Sequence, residues 1–214
     1  MTFDAPDWVA WHAPYDDPGS NLERRLRWVQ RRIGVMLDEA LPGPIRVLSI
    51  CAGQGRDLLD VLRHHRRRDD VHALLVELDQ RNVAEARRAV DEADLPGVEV
   101  LQGDASNTSS FARGVPADLL LVCGVYGNVS DTDVATTVAH LPELCAPGAT
   151  TIWTRHRAEP DLTPAIRQWY VDAGFEEIAF DREDGFLFGV GTAGLRTPPP
   201  PFVPDRHLFD FIER

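Results

Sequence analysis

The sequence predicts an α/β protein with a doubly wound, mostly parallel sheet. Short apolar runs rich in Val, Leu and Ile alternate with segments of helical periodicity, and this alternation is typical of repeated βαβ units. The run at 45–51 leads into a turn with two glycines and then into a helical pattern. Near the C-terminus, the apolar runs 175–180 and 186–190 flank a charged turn, which predicts a hairpin. We therefore expect a three-layer sandwich with a seven-stranded sheet whose last strand is antiparallel.

The elements of this fold can be placed in order along the chain. Ser20 or Asn21 can cap a helix that runs to about Leu41, where a Pro-Gly-Pro sequence ends it. The arginines of this helix, Arg25 among them, are expected mostly outside its apolar stripe. The other predicted strands lie at 45–51, 72–77, 98–101, 118–123 and 150–154, and the helices between and after them at 56–65, 79–93, 131–144 and 165–173.

The predicted organisation is one domain with a segment added at each end. We expect an N-terminal arm and cap helix at 1–44, an α/β core at 45–197, and a proline-rich tail at 198–214 that packs on the same domain. A chain of 214 residues is ample for one hydrophobic core and short for two.

The arm before the first helix is aromatic. It carries Trp8, Trp11 and Tyr15, and His12 lies among them. Such large rings are costly to leave in water, so the arm is expected to pack against something. It either lies on the domain's own surface or forms an aromatic lid over a ligand cleft.

The composition disfavours several classes of binding partner and site. A net charge of −12 disfavours nucleic acid, whose binders usually display a basic face. No run approaches the roughly 20 apolar residues of a membrane-spanning helix, and the acidic N-terminus is unlike a signal peptide. Cys51, Cys123 and Cys145 are scattered, without the paired spacing of a disulfide framework or a metal site. We expect a cytoplasmic monomer or homodimer that binds neither membranes nor metal.

The turn after the first strand is the centre of the predicted site. Gly53 and Gly55 let the backbone approach a ligand closely, and the amides that begin the next helix favour an anionic group. A dinucleotide fingerprint would need a third small residue where Leu58 stands. The segment 45–59 instead resembles motif I of the class I S-adenosylmethionine-dependent methyltransferases.

Later segments resemble further motifs of that family. Ala86-Arg87 resembles the helical part of the second motif and places the family's acidic residue at Glu77, where a carboxylate can accept both hydroxyls of a ribose. The segment 103–105 resembles the third motif and implies that Asp104 accepts from the adenine amino group. The resemblance implies these contacts to S-adenosylmethionine: Cys51, Ala52, Gly53, Gly55, Glu77, Leu78, Asp104, Ala105, Cys123 and Gly124.

The resemblance implies methyl transfer to a small-molecule acceptor. The sulfonium methyl is already activated, so the enzyme mainly aligns the reacting atoms, and a general base helps when the acceptor is a hydroxyl. The loop after the fourth strand faces the methyl group in this family, and His156 follows the fifth strand. The candidate catalytic residues are Tyr126 and His156. The candidate substrate contacts are Trp11, His12, Tyr15, Tyr126 and Asn128.

Two departures from the family pattern keep other functions open. Ser49 and Cys51 stand where an acidic residue and the first glycine are usual. Either the methionine end of the cofactor is held differently, for example by the aromatic arm, or its binding is impaired. A non-catalytic S-adenosylmethionine-binding protein on the same scaffold therefore remains an alternative. A nicotinamide-dependent oxidoreductase is another, although Leu58 counts against it.

Overall fold

The structure is a computed structural model that describes residues 13–212. Its strands are β1 (Ile45–Ile50), β2 (Val71–Glu77), β3 (Val98–Gln102), β4 (Ala117–Val122), β5 (Cys145–His156), β6 (Phe175–Asp181) and β7 (Phe188–Leu195). They form one seven-stranded sheet in the order β3-β2-β1-β4-β5-β7-β6. Strands β1 to β5 pair in parallel, whereas β7 runs antiparallel to both β5 and β6. The predicted fold, including its antiparallel last strand, is confirmed.

Helices cover both faces of the sheet because each presents an apolar stripe. They are α1 (Asn21–Glu39), α2 (Arg56–Leu62), α3 (Gln80–Glu92), α4 (Asp131–His140) and α5 (Thr163–Asp172). Helices α1, α2 and α3 share one apolar cluster with the sheet, and α4 and α5 share the other. The predicted cap of α1 is present, since the Ser20 hydroxyl accepts from the Glu23 amide at 3.0 Å. Within residues 13–212, none of the helices combines the length and apolar character needed to cross a membrane.

Several element boundaries differ from the sequence prediction, among them the start of β5 and the end of α2. Strand β5 begins at Cys145 rather than at residue 150, because Cys145 already pairs with Ala117 before the register shifts at the next pair. Helix α2 ends at Leu62 rather than at residue 65, and the His64 amide closes a tighter turn on the Val61 carbonyl at 3.2 Å. Both differences lie away from the turn that follows β1.

Residues 206–212 cross the carboxyl edge of the sheet, and we call this segment the strap. The Leu208 amide donates to the Ser106 carbonyl at 2.8 Å, and the Ile212 amide donates to the Asn128 carbonyl at 2.9 Å. Leu208 and Phe209 are buried in the apolar cluster of α4 and α5. The strap thus joins the loop after β3 to the loop after β4.

Candidate functional site

A cleft opens at the carboxyl edge of the sheet. The strand order reverses here, since β2 and β4 flank β1 on opposite sides, and open α/β sheets bind ligands at such a point. The space between its walls is about 940 Å³ when the open mouth is included. Its walls contain these predicted cofactor residues: Cys51, Ala52, Gly53, Glu77, Leu78, Asp104, Ala105, Cys123 and Gly124.

The turn after β1 has three left-handed residues at alternate positions. Cys51 has φ +53°, Gly53 has φ +56° and Gly55 has φ +71°. Cys51 therefore keeps the backbone conformation that favours glycine, at a cost of about 1–2 kcal/mol for a residue with a side chain. Gly55 does not line the cleft but lies behind the turn, where a Cβ atom would be 2.8 Å from Leu75 and 2.9 Å from Leu59.

The Glu77 carboxylate fastens this turn to the end of β2. Its Oε2 accepts from the Gly53 amide at 2.8 Å, and its Oε1 accepts from the Asp79 amide at 2.8 Å. The side chain is 7% exposed, and this burial raises the pKa of Glu77 against the opposing effect of the two amides. Each carboxylate oxygen has a second lone pair, so Glu77 retains acceptor capacity toward the cleft.

Asp104 lies at the exposed mouth of the cleft, two residues after β3. Its Oδ1 accepts from the Ser106 amide at 2.8 Å, and its main-chain carbonyl accepts from the Ser110 hydroxyl at 2.6 Å. Ala105 beside it is buried. The strap fixes the same loop through Leu208, so the position of Asp104 depends on residues about 100 positions later in the chain.

Three charged residues that line the cleft, Arg25, Arg56 and Asp57, were missed by the sequence analysis as site residues. Arg25 was expected outside the apolar stripe of α1, but it is 5% exposed and begins the buried row that continues through Val29. It donates to the hydroxyl of Tyr15. Asp57 is the second residue of α2, and loss of hydration in the cleft raises the pKa of its carboxyl to about 6, with the nearby Arg25 charge opposing the shift. The four-residue spacing of Arg25 and Val29 is the signal that could have identified the arginine.

The three cysteines are free thiols with low reactivity. Burial raises the pKa of Cys51 and of Cys123, and it raises the pKa of Cys145 to about 12. The thiolate is the nucleophilic and metal-binding form, so all three are predominantly neutral near pH 7. Within residues 13–212, no three His, Cys, Asp or Glu side chains converge on a point where a metal ion could sit.

The structure does not bring the two predicted catalytic residues to the cleft. Tyr126 is fully buried, and its hydroxyl lies 2.9 Å from that of Tyr170 in the core. Burial raises the pKa of Tyr126 well above its ordinary value, so the phenol stays protonated. His156 lies beyond the cleft, where its Nδ1 accepts from the Ala158 amide at 3.0 Å and its ring packs on Phe188. Neither placement fits a general base acting in the cleft.

The predicted substrate contacts have mixed outcomes. Tyr15 and Asn128 line the cleft, and the Asn128 side-chain amide donates to the Gly124 carbonyl at 2.6 Å. Trp11 and His12 lie outside the described residues. The strap adds a wall residue that was not predicted, Phe211, whose side chain is 39% exposed.

Sequence comparison connects this chain with a methyltransferase family. Residues 24–169 match a family model described as "Putative methyltransferase". A curated relative, the uncharacterized protein YnbC of Escherichia coli (strain K12), is 31% identical over 121 residues. That match covers 55% of this chain and 20% of YnbC, so this chain corresponds to about a fifth of the length of that relative.

Comparison with solved structures identifies the same fold. The magnesium protoporphyrin IX methyltransferase of Synechocystis PCC 6803, solved with bound S-adenosylhomocysteine, superimposes with a TM-score of 0.67 at 14% identity, over 91% of this chain and 96% of that one. An O-methyltransferase family protein from Burkholderia thailandensis gives a TM-score of 0.64 at 19% identity, over 90% of this chain and 61% of that one. At these identities the likeness concerns the fold.

Proposed function

We propose that this chain, which belongs to the methyltransferase family matched by residues 24–169, binds S-adenosylmethionine in the cleft and transfers its methyl group to a small-molecule acceptor. The bound cofactor would supply an activated methyl group on a sulfonium sulfur. The protein would supply the binding contacts, the alignment of the acceptor and the exclusion of water. The family membership favours this function over a nicotinamide-dependent oxidoreductase.

The observation that carries the proposal is the position of Glu77. It is a nearly buried carboxylate at the end of β2, bonded to the glycine turn after β1 and still able to accept toward the cleft. A ribose presents two adjacent hydroxyl donors, and a carboxylate is an acceptor that suits such donors. Asp104 and the buried Ala105 at the end of β3 would then contact the adenine.

The acceptor would enter beside the loop after β4. Asn128 and Phe211 form the wall on that side, and Phe211 offers an aromatic surface to an at least partly apolar molecule. The net charge of −12 makes a nucleic-acid acceptor unfavourable. These features support a small molecule as the acceptor.

Calorimetric titration of the full chain tests the cofactor. We expect micromolar binding of S-adenosylmethionine and S-adenosylhomocysteine and no binding of NADH. Glu77→Gln should weaken both by at least tenfold, because an amide offers one acceptor oxygen in place of two. Glu176→Gln is the control, since Glu176 is exposed on the edge strand β6 and pairs only with Arg196 among the described contacts. Failure of the wild type to bind either cofactor would refute the proposal.

Turnover is tested separately by release of S-adenosylhomocysteine across a panel of small hydroxyl, amine and thiol acceptors. Cofactor binding combined with release for at least one acceptor supports catalysis. Tight cofactor binding without release from any acceptor would favour the non-catalytic binding protein.

A further inference from the structure

We propose that Arg25 and Asp57 recognise the amino-acid end of the cofactor, with the guanidinium binding its α-carboxylate and the Asp57 carboxylate binding its α-ammonium group. This inference rests on the proposed function and extends it, because it pairs a residue of the N-terminal helix, Arg25, with Asp57 of α2 at the amino-acid end of the ligand.

The first observation is the placement of the Arg25 side chain. It is 5% exposed and lines the cleft, so this buried residue borders the binding space. The Tyr15 hydroxyl accepts from it, and the guanidinium lies 5.2 Å from the centre of the Phe188 ring. A planar guanidinium held between aromatic groups is well suited to a bidentate contact with a carboxylate.

The second observation is the companion charge of opposite sign. Asp57 also lines the cleft, and its carboxylate is close enough to Arg25, Tyr15 and Cys123 to interact electrostatically with each of them. An α-amino acid carries one carboxylate and one ammonium group on adjacent atoms. A buried arginine and a half-buried aspartate that line one cleft and interact electrostatically therefore complement both charges of such a group.

The third observation is the order of groups along the sheet. Glu77 and Asp104 follow β2 and β3, on one side of the turn after β1. Asp57 follows that turn on α2, and Cys123 follows β4 on the other side. A ligand that places its nucleoside on Glu77 and Asp104 would extend its opposite end across the turn toward Arg25 and Asp57.

The serine at position 49, which replaces the usual acidic residue of the resembled family, is consistent with this arrangement. Ser49 is buried with 2% exposure at the position where the resembled family usually has an acidic residue. In this chain, Glu77 holds the turn from the neighbouring strand, through the Gly53 amide. The positive charge at the amino-acid end would come from Arg25 on α1, outside the segment that resembles motif I, and the negative charge from Asp57 near the end of that segment.

The test compares ligands that have or lack the amino-acid group. S-Adenosylhomocysteine carries it, 5′-methylthioadenosine lacks it, and decarboxylated S-adenosylmethionine keeps only the ammonium group. We expect Arg25→Met to weaken S-adenosylhomocysteine at least tenfold while leaving the other two ligands within about twofold of wild type. Asp57→Asn should weaken S-adenosylhomocysteine and decarboxylated S-adenosylmethionine, and leave 5′-methylthioadenosine unchanged.

Two neighbouring residues supply matched controls. Arg24→Met removes an exposed arginine of α1 that pairs with Glu183, and Asp60→Asn removes an exposed aspartate of α2 that accepts from Gln30. Neither should change the affinity for any of the three ligands. Retained binding of 5′-methylthioadenosine shows that a variant is folded, and Arg25→Lys, which keeps the charge, replaces Arg25→Met if that variant is unfolded. For it we expect a smaller loss, confined to S-adenosylhomocysteine.

Three outcomes would overturn the inference. Unchanged affinity for S-adenosylhomocysteine in both site variants would exclude direct recognition. Equal loss of S-adenosylhomocysteine and 5′-methylthioadenosine would make Arg25 and Asp57 structural supports of the cleft. If the wild type bound none of the three ligands, the proposed function would fail together with this inference, and that result is distinct from the first two.

Discussion

At the scale of single residues, Asp57 should make cofactor affinity depend on pH. Its pKa of about 6 means that it is mostly ionised at pH 7.5 and mostly protonated at pH 5, whereas the α-ammonium of S-adenosylhomocysteine is charged at both. Protonation removes the attraction, so we predict an affinity about tenfold lower at pH 5 than at pH 7.5. Calorimetry across this range measures it.

The other groups facing Asp57 do not reproduce this pH profile. Burial raises the pKa of Tyr15 and that of Cys123, away from the range between pH 5 and pH 7.5, and Asp60 is exposed. Glu77 would contact the nucleoside end of the ligand, so a change in its protonation would alter the affinity for 5′-methylthioadenosine as well. That ligand therefore serves as the control. An unchanged pH profile in Asp57→Asn would contradict the assignment.

The Tyr126–Tyr170 hydrogen bond should stabilise the core without contributing to ligand binding. We predict that Tyr126→Phe lowers the free energy of unfolding by about 1–3 kcal/mol, because it leaves the buried Tyr170 hydroxyl without this partner. Replacing both tyrosines by phenylalanine should cost less than the single change. Urea unfolding measures the stabilities, and the Kd for S-adenosylhomocysteine should stay at the wild-type value. A double variant less stable than Tyr126→Phe would contradict the prediction.

At the scale of elements, the turn after β1 should tolerate no side chain at Gly55. We predict that Gly55→Ala costs about 1–3 kcal/mol more than Gly148→Ala. Both glycines have a positive φ, +71° and +77°, but only at Gly55 would the added carbon meet Leu75 and Leu59, while nothing lies within 4 Å at Gly148. The comparison isolates the steric part, measured by chemical unfolding. Equal costs would show that the turn can move aside.

The elements that sequence could predict are those with a local signal. The apolar runs predicted the strands, and the ends of β2 and β3 predicted that Glu77 and Asp104 would meet in one cleft, because parallel strands end at the same edge. Arg25 was missed because a charged residue was expected at the surface, although its spacing placed it on the buried face of α1. Tyr126 was misplaced because loop residues have no periodicity that shows which way they face. The pairing of the strap with two loops is non-local and has no sequence signal.

At the scale of the whole molecule, the strap should control the order of the loops around the site. We predict that deleting residues 206–214 increases amide hydrogen exchange in the loops at 104–108 and 124–129, since their contacts with Leu208 and Ile212 are lost. Amides of β1 and β2 should keep their protection. Hydrogen-exchange mass spectrometry measures both groups, and unchanged protection in the two loops would show that they are ordered without the strap.

The strap also has a consequence for how the protein is made. A ribosome delivers Arg25, the glycine turn, Glu77 and Asp104 long before it delivers residues 206–212. The sheet can therefore assemble around β1 while the loops after β3 and β4 still lack their hydrogen bonds to the strap. The emergence of the strap from the ribosome is then the step that completes the cleft, so a nascent chain would acquire its full ligand affinity only after residues 206–212 have been made.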